Sequence, residues 1–203
     1  MAKTPVVHHT IREQIAAHIR RAVFSGNLKQ GESLREQPLA ERFGVSRGPI
    51  RDALLELTKE GLLLARQNRG VTVRKRPAPG IRPLLVTLRR QLEVFALAEI
   101  FDSIGPVDLQ YWEENLQQFR TACRLADMAD IVEYDMAFHR SIVARVGDDA
   151  LTAIWLPMAT NMMLPDSRTI DPIGSYTEHR SVYEAMRIGD KDAAIKKLQE
   201  NIR

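Results

Sequence analysis

Residues 34–70 read LREQPLAERFGVSRGPIRDALLELTKEGLLLARQNRG, and this stretch decides how the 203-residue chain is understood. Leu39, Ala40 and Phe43 share one side of a short helix that stops at Gly44, a residue free to take the left-handed conformation that ends helices. After Val45, the Ser46 hydroxyl can cap a second helix. Pro49 falls in that helix's first turn, where backbone N–H groups lack helical partners anyway. Ile50, Ala53, Leu54 and Leu57 recur at helical spacing and give a buried stripe, with Arg47 and Arg51 projecting together beside it. Gly61 ends the second helix, and Leu62–Ala65 and Val71–Arg74 read as strands around a Gln67-Asn68-Arg69-Gly70 turn. Two helices across a tight turn, followed by a β-ribbon, form a winged helix-turn-helix.

Toward the N-terminus, residues 1–9 read as a loose arm in which His8 and His9 are solvated neighbours rather than ligands. Thr10 with Glu13 is a capping box, and Ile11, Ile15, Ile19, Ala22 and Val23 then make an amphipathic helix ending near Gly26. A turn-rich connection, Gly26 to Gly31, brings Leu34–Arg35 to the start of the next helix. These segments define an N-terminal domain, 1–76. The linker is set at 77–82, within RPAPGIR, where two prolines and a glycine break regular structure. Beyond it, 83–203 shows no strand and reads as an all-α bundle of six to seven helices. The expected spans are 83–102 (Leu85, Leu88, Leu92, Phe95, Ala96), 106–125, 128–146, 149–164, 175–188 and 190–203. Pro106 suits a helix start, and Gly189-Asp190 a stop followed by a cap. The fold class is thus mostly α, a winged helix-turn-helix with a small β wing joined to a helical bundle.

Charge separates the two parts. The net charge of +3 is the balance of +8 over residues 1–76 and −5 over 77–203. A basic third that coincides with a helix-turn-helix faces a polyanion, and two arginines beside the start of a second helix are a DNA-reading arrangement. No apolar run nears the roughly 18 residues of a membrane helix, and MAKTPVVHHT lacks the apolar core of a signal peptide. The single cysteine, Cys123, lies on an apolar helical repeat and reads as a small core residue; a reducing cytoplasm is the simplest compartment.

Residues 10–76 resemble the DNA-binding domain of the GntR family of bacterial transcription regulators. The resemblance is carried by Gly31-Glu32-x-Leu34-Arg35-Glu36, Leu39-Ala40-Glu41-x-Phe43-Gly44-Val45-Ser46-Arg47, Pro49-Ile50-Arg51-x-Ala53-Leu54, Glu60-Gly61-Leu62 and Asn68-Arg69-Gly70. It implies that Arg35, Arg47 and Arg51 read bases and phosphates and that Ser46 holds phosphate at a helix N-terminus. Arg69 and Gly70 would lie near the minor groove. Gly48 stands where the family commonly has threonine, which removes one contact and leaves the docking mode. One such domain makes a small interface, so a homodimer on a palindromic double-stranded operator is expected.

Residues 83–203 are similar to the all-helical FCD effector domain of the family's FadR-type subgroup, through Arg89-x-x-Leu92-Glu93, Asp135-x-x-Phe138-His139, His179 and Gly189-Asp190. Asp135 and His139, four apart, share one helix face and can chelate a divalent ion; His179 can supply a third ligand. In metal-binding members these positions are ligands together with a last-helix histidine, whose place here is taken by Asn201, a poorer ligand for zinc or a similar ion. Arg89, followed by a second arginine at 90, matches the arginine that faces the effector pocket. The implied effector is a small organic acid, for which a metal and a cation form a carboxylate trap. Asp148 replaces the asparagine that usually follows the glycine at 147. Trp112, Trp155, Met158, Met162 and Met163 read as core or pocket wall.

The leading expectation is therefore a ligand-responsive transcriptional regulator, a repressor by family habit and not an enzyme. A metal-dependent enzyme built on Asp135, His139 and His179 is the alternative, since two histidines and a carboxylate also form a facial triad. A nonspecific DNA-packaging protein would spread its charge along the chain and would not need an acidic half.

Overall fold

The computed structural model describes residues 10–66, 70–165 and 171–203; His8, His9 and Arg69 lie outside them. Helix α1 (Ile11–Phe24) opens with the Thr10–Glu13 capping box, its two reciprocal hydrogen bonds both formed. Strand β1 (Ser33–Leu34) leads into α2 (Glu36–Phe43), and Gly44, at φ 65°, ends that helix in the left-handed conformation. Helix α3 (Arg47–Lys59) follows, then β2 (Leu63–Arg66) and β3 (Gly70–Val73). All three strands pair antiparallel in the order β1-β3-β2, with Leu63 opposite Val73 and Leu34 opposite Val71. The third strand corrects the expected two-strand ribbon, in which Leu34–Arg35 opened a helix. Two residues are too few to show a period of two, and Leu34 is instead buried against β3.

Six described α-helices follow: α4 (Arg82–Ile100), α5 (Pro106–Leu125), α6 (Met128–Ala144), α7 (Asp149–Met162), α8 (Pro172–Arg187) and α9 (Lys191–Asn201). A 3-10 turn, Phe101–Ser103, extends α4. Caps set the starts: Asp127, Asp148, Asp171 and Asp190 each accept from backbone N–H groups of the helix they precede. Asp171 explains why α8 begins before the expected residue 175, because its carboxylate accepts from the Gly174 N–H at 2.9 Å. Ser46 behaves otherwise. It occupies the N-cap of α3 with extended backbone, but its hydroxyl makes no capping bond, so the expected cap is absent and the group stays at the exposed face.

The cores revise two readings. Leu88 and Phe95, expected on the apolar face of α4, are 40% and 53% exposed, while Arg89, Glu93, Ala96, Leu97 and Ile100 are buried. The side of α4 turned inward therefore carries an ion pair, and much of its apolar surface faces out. The N-terminal core of Ile15, Ile19, Val23, Ile50, Leu54, Leu57 and Leu63 also extends beyond residue 76: Ala129 and Val132 of α6, with Leu164, are buried in it. At 1.5–3 kcal/mol for a fully buried aliphatic side chain, this shared packing joins the two parts firmly. Arg21 of α1 pairs with both Asp127 and Asp130 of α6. Gly61, at φ 79°, lies so close to α7 that a Cβ there would be 2.8 Å from the Pro157 Cα.

Candidate functional site

Two regions gather functional side chains. The first is the outer face of the three-stranded sheet and the helix-turn-helix. Arg35, Ser46, Arg47 and Arg51 are exposed, Gly48 is half-buried in the first turn of α3, and Gly70 is exposed at φ 74°. An open groove of about 1110 Å³ runs between wing and helices, lined by Arg35 and Arg47 on one side and by Arg66, Gly70, Arg74 and Lys75 on the other. Arg51 stands one turn along α3, outside that lining. Arg66, Arg74 and Lys75 escaped the sequence reading; their signal was basic residues at the ends of the two wing strands. The Arg47 guanidinium lies 3.1 Å from the Glu36 carboxylate at the start of α2, which aims it across the turn. A Cβ on Gly70 would come 3.2 Å from the Leu34 carbonyl, so glycine permits the close approach of the wing to β1.

The second region is enclosed between α4, α6, α7, α8 and α9. Glu93 is fully buried and accepts three hydrogen bonds: from Arg89 Nε at 2.6 Å, Trp155 Nε1 at 2.6 Å and His139 Nδ1 at 2.5 Å. Burial pushes its carboxyl up, but the Arg89 guanidinium and the His139 ring outweigh that and hold it at about 2. Burial likewise opposes ionisation of Asp135, yet its contact with the His179 ring and the Arg89 guanidinium beyond keep its carboxyl well below the usual range. Burial alone dominates at His139, whose basicity is lowered, so the ring is neutral with its proton on Nδ1 toward Glu93.

That proton placement directs the cluster. His139 Nε2 faces His179 Nε2 at 3.1 Å, and His179 Nε2 lies 3.2 Å from Asp135 Oδ2. His179 Nδ1 is 2.8 Å from the Ser175 carbonyl, an acceptor that takes its proton. Three acceptor atoms, all within 4.8 Å of one another, thus converge on one point. Asn201 is set apart from them: its amide lies 3.2 Å from His179 Nδ1, on the other edge of the ring. Arg89 and Arg90 diverge, Arg89 into the cluster and Arg90 to the Ile202 carbonyl at 2.8 Å. Within this cluster, Arg89 Nη2 and Asp135 Oδ1 are buried without a hydrogen-bond partner among the described residues and face each other at 4.0 Å. Glu93 is the member of this region to which the sequence reading gave no role; its signal was its position four residues beyond Arg89, on the same helix face.

Helix α6 holds both kinds of contact. Ala129 and Val132 pack into the N-terminal core, and Asp135 and His139 follow on the same helix in the buried cluster. Helix α7 repeats the pattern, with Trp155 on Glu93 and Pro157 against Gly61.

Comparison with known proteins agrees with both regions. The profile of bacterial regulatory proteins of the gntR family matches residues 11–73, and that of the FCD domain matches 85–203. The transcriptional regulator YdhC of Bacillus subtilis is 27% identical over 188 residues, covering 89% of this chain and 83% of its own. The transcriptional repressor RspR of Escherichia coli is 23% identical over 197 residues, covering 95% and 86%. The structure of E. coli McbR/YncC superposes with a TM-score of 0.77 at 23% identity, over 96% of this chain and 94% of that one. These relatives are regulators of transcription, which sets aside the alternative of a metal-dependent enzyme. The chain belongs to the GntR family of DNA-binding transcriptional regulators, with a winged helix-turn-helix followed by an FCD domain.

Proposed function

We propose that the chain is a repressor that binds a palindromic operator as a homodimer in the cytoplasm, and that a small organic acid bound with a divalent metal in the helical part changes its affinity for DNA. Arg35, Arg47 and Arg51 read bases and phosphates, with Ser46, Gly48, Arg69 and Gly70 completing the contact. A bidentate arginine–guanine pair contributes roughly 1–3 kcal/mol of discrimination, and the wing cations Arg66, Arg74 and Lys75 add attraction to phosphate.

The observation that supports the metal is the meeting of three acceptor atoms. With both Nδ1 protons directed to Glu93 and Ser175, the two Nε2 lone pairs and Asp135 Oδ2 face each other, an arrangement that a cation stabilises. Their 3.1 and 3.2 Å spacings fit ligands about 3.3 Å apart around a tetrahedral ion with zinc-like bond lengths. Two buried carboxylates, Glu93 and Asp135, face one buried guanidinium, Arg89, and a cation held at this point adds to their pairing. Asp135, His139 and His179 would hold the ion, and Asn201 would steady the His179 ring. The ion supplies a positive charge for an acid's carboxylate, and the unpartnered Arg89 Nη2 supplies the charge-assisted hydrogen bond beside it. Helices α6 and α7 then pass the occupancy of the site to the DNA-binding part through Ala129, Val132 and Pro157.

The test is a thermal-shift screen of hydroxy acids, dicarboxylic acids and sugar acids, with and without zinc, nickel or manganese. The reading expects the metal alone to raise the melting temperature and one acid class to raise it further only with metal present. No bound metal by elemental analysis and no shift on adding any of the three ions would refute it.

A further inference from the structure

The inward face of α5 carries one residue foreign to it by type. Trp112, Leu116, Phe119, Ala122 and Cys123 form a buried apolar stripe, and Asn115 stands among them, 8% exposed. Its Oδ1 is buried without a hydrogen-bond partner among the described residues. A buried carbonyl that meets no donor destabilises a fold, and an apolar side chain in its place removes that cost. Packing therefore gives no reason for an amide at this position. The other buried side-chain atoms in the same condition are Arg89 Nη2, Asp135 Oδ1 and Arg74 Nε. The first two lie in the buried cluster, and Arg74 lines the groove of the DNA-binding face. In this chain an unpaired buried polar atom thus goes with a place where something binds.

Asn115 lies at the floor of an open groove of about 430 Å³ between α5 and α6. Tyr111 and Glu114 line it from α5, Glu133 and Tyr134 from α6, and the small side chain of Ala137 leaves the space between them. Glu114 accepts from the neutral Gln110 amide at 2.9 Å, and Glu133 pairs with no cation among the described residues. No described lysine, arginine or histidine lines the groove. Burial, with the Asp130 and Glu133 carboxylates beside it, raises the Tyr134 hydroxyl above its ordinary value against the opposing Arg21 charge. The geometry points to a site for a primary alkylammonium ion. The two carboxylates favour a positive charge, and the unpaired Asn115 carbonyl takes an N–H donor, which a half-turn of the carboxamide brings it to meet. The tyrosine rings attract a cation through their faces and cover an alkyl chain with their apolar bodies. A quaternary ammonium has the charge without the N–H, and an alcohol has a donor without the charge. A metal ion is not served here: the three ligands that converge among the described residues are Asp135, His139 and His179, elsewhere on α6 and α8. This site stands independently of the metal and acid proposed for the buried cluster.

The test is isothermal titration calorimetry of the full-length chain with butylammonium chloride, beside tetramethylammonium chloride and butanol. The site predicts saturable binding of a single butylammonium ion per chain and no comparable binding of the other two. Glu133→Gln, at an exposed position, keeps the fold and weakens the binding roughly fivefold, the loss expected of one partly solvated charge pair. Asn115→Leu abolishes the binding and raises the melting temperature, because it completes the apolar stripe and leaves no unpaired carbonyl. Tetramethylammonium or butanol binding as tightly as butylammonium would remove the need for an N–H donor or for charge, and either result overturns the assignment. Butylammonium that does not bind, or that binds both variants as it binds the unmodified chain, overturns the site. A lower melting temperature for Asn115→Leu would show the amide serving the fold itself and overturn the reasoning.

Discussion

Glu93→Ala tests the buried network where it bears most load. Glu93 has no exposed surface and accepts from Arg89, Trp155 and His139 at 2.5–2.6 Å. Truncation leaves the Arg89 guanidinium buried with only Asp135 near it, at 4.0 Å. Removing one partner of a buried ion pair costs about 3–5 kcal/mol, and each neutral donor left unsatisfied costs about 1–3 kcal/mol more. The three losses share one cavity and water can enter it, so they do not add; a total near 5 kcal/mol is expected. That is a large part of the 5–15 kcal/mol that holds a typical domain, and it corresponds to a fall in melting temperature of roughly 10–20 °C for a chain of this size. Urea unfolding followed by circular dichroism measures it, beside Glu93→Gln. The amide keeps the shape and can accept from Arg89 and Trp155 but opposes an N–H to His139 Nδ1, so about half the loss is expected. A Glu93→Ala variant within about 1 kcal/mol of the unmodified chain would refute the reasoning, because the carboxylate would then be holding nothing.

Three further outcomes follow from other residues. Arg47→Ala, at an exposed position on α3, should abolish operator binding in a gel-shift titration while leaving the melting temperature within about 4 °C, since exposed ion pairs such as Arg47–Glu36 contribute roughly 0–1 kcal/mol. Gly44→Ala and Gly61→Ala both place a Cβ at positive φ, costing about 1 kcal/mol, but only Gly61 has Pro157 within 3 Å of that Cβ; thermal unfolding should show Gly61→Ala as clearly the more destabilised. Asp108 accepts from the Gly105 N–H and from Arg145 Nε, and chiefly the first lowers its carboxyl below 3.8. A lowered carboxyl stabilises the fold above its unfolded value and loses that contribution as pH falls through the folded one. Asp108→Ala should thus cost about 1 kcal/mol at pH 7, and the difference should shrink steadily as pH falls below 3.8 in denaturation curves taken across that range.

Periodicity carried the helices well, because caps and breakers such as Thr10, Gly44, Asp127 and Gly189-Asp190 punctuate a chain whose apolar residues recur every three or four positions. It was less able to say what each stripe packs against. The span 128–146 read as part of the bundle, yet its Ala129 and Val132 belong to the core of the DNA-binding part, and Leu88 and Phe95 read as buried yet face outward. An apolar pattern marks a surface to be covered without naming the cover. Charged residues inside were the blind spot. Arg89 and Glu93 look solvent-facing by type, and only three-dimensional pairing makes their burial tolerable. Asp135, His139 and His179 were legible as a group because two of them share a helix face. That Asn201 meets the far nitrogen of His179 depends on ring orientation, which spacing does not encode.

The central claim is that the buried cluster governs the DNA-binding face. It is tested most directly by fluorescence anisotropy of a duplex obtained by in-vitro selection on this chain, titrated with and without a divalent metal and the acid that shifts its melting temperature. Coupling of 1–3 kcal/mol between sites predicts a change in DNA affinity of roughly 5- to 150-fold. An Asp135→Ala/His179→Ala variant should keep the ligand-free affinity and lose the response. Identical titrations of the unmodified chain with and without metal and acid would contradict the claim.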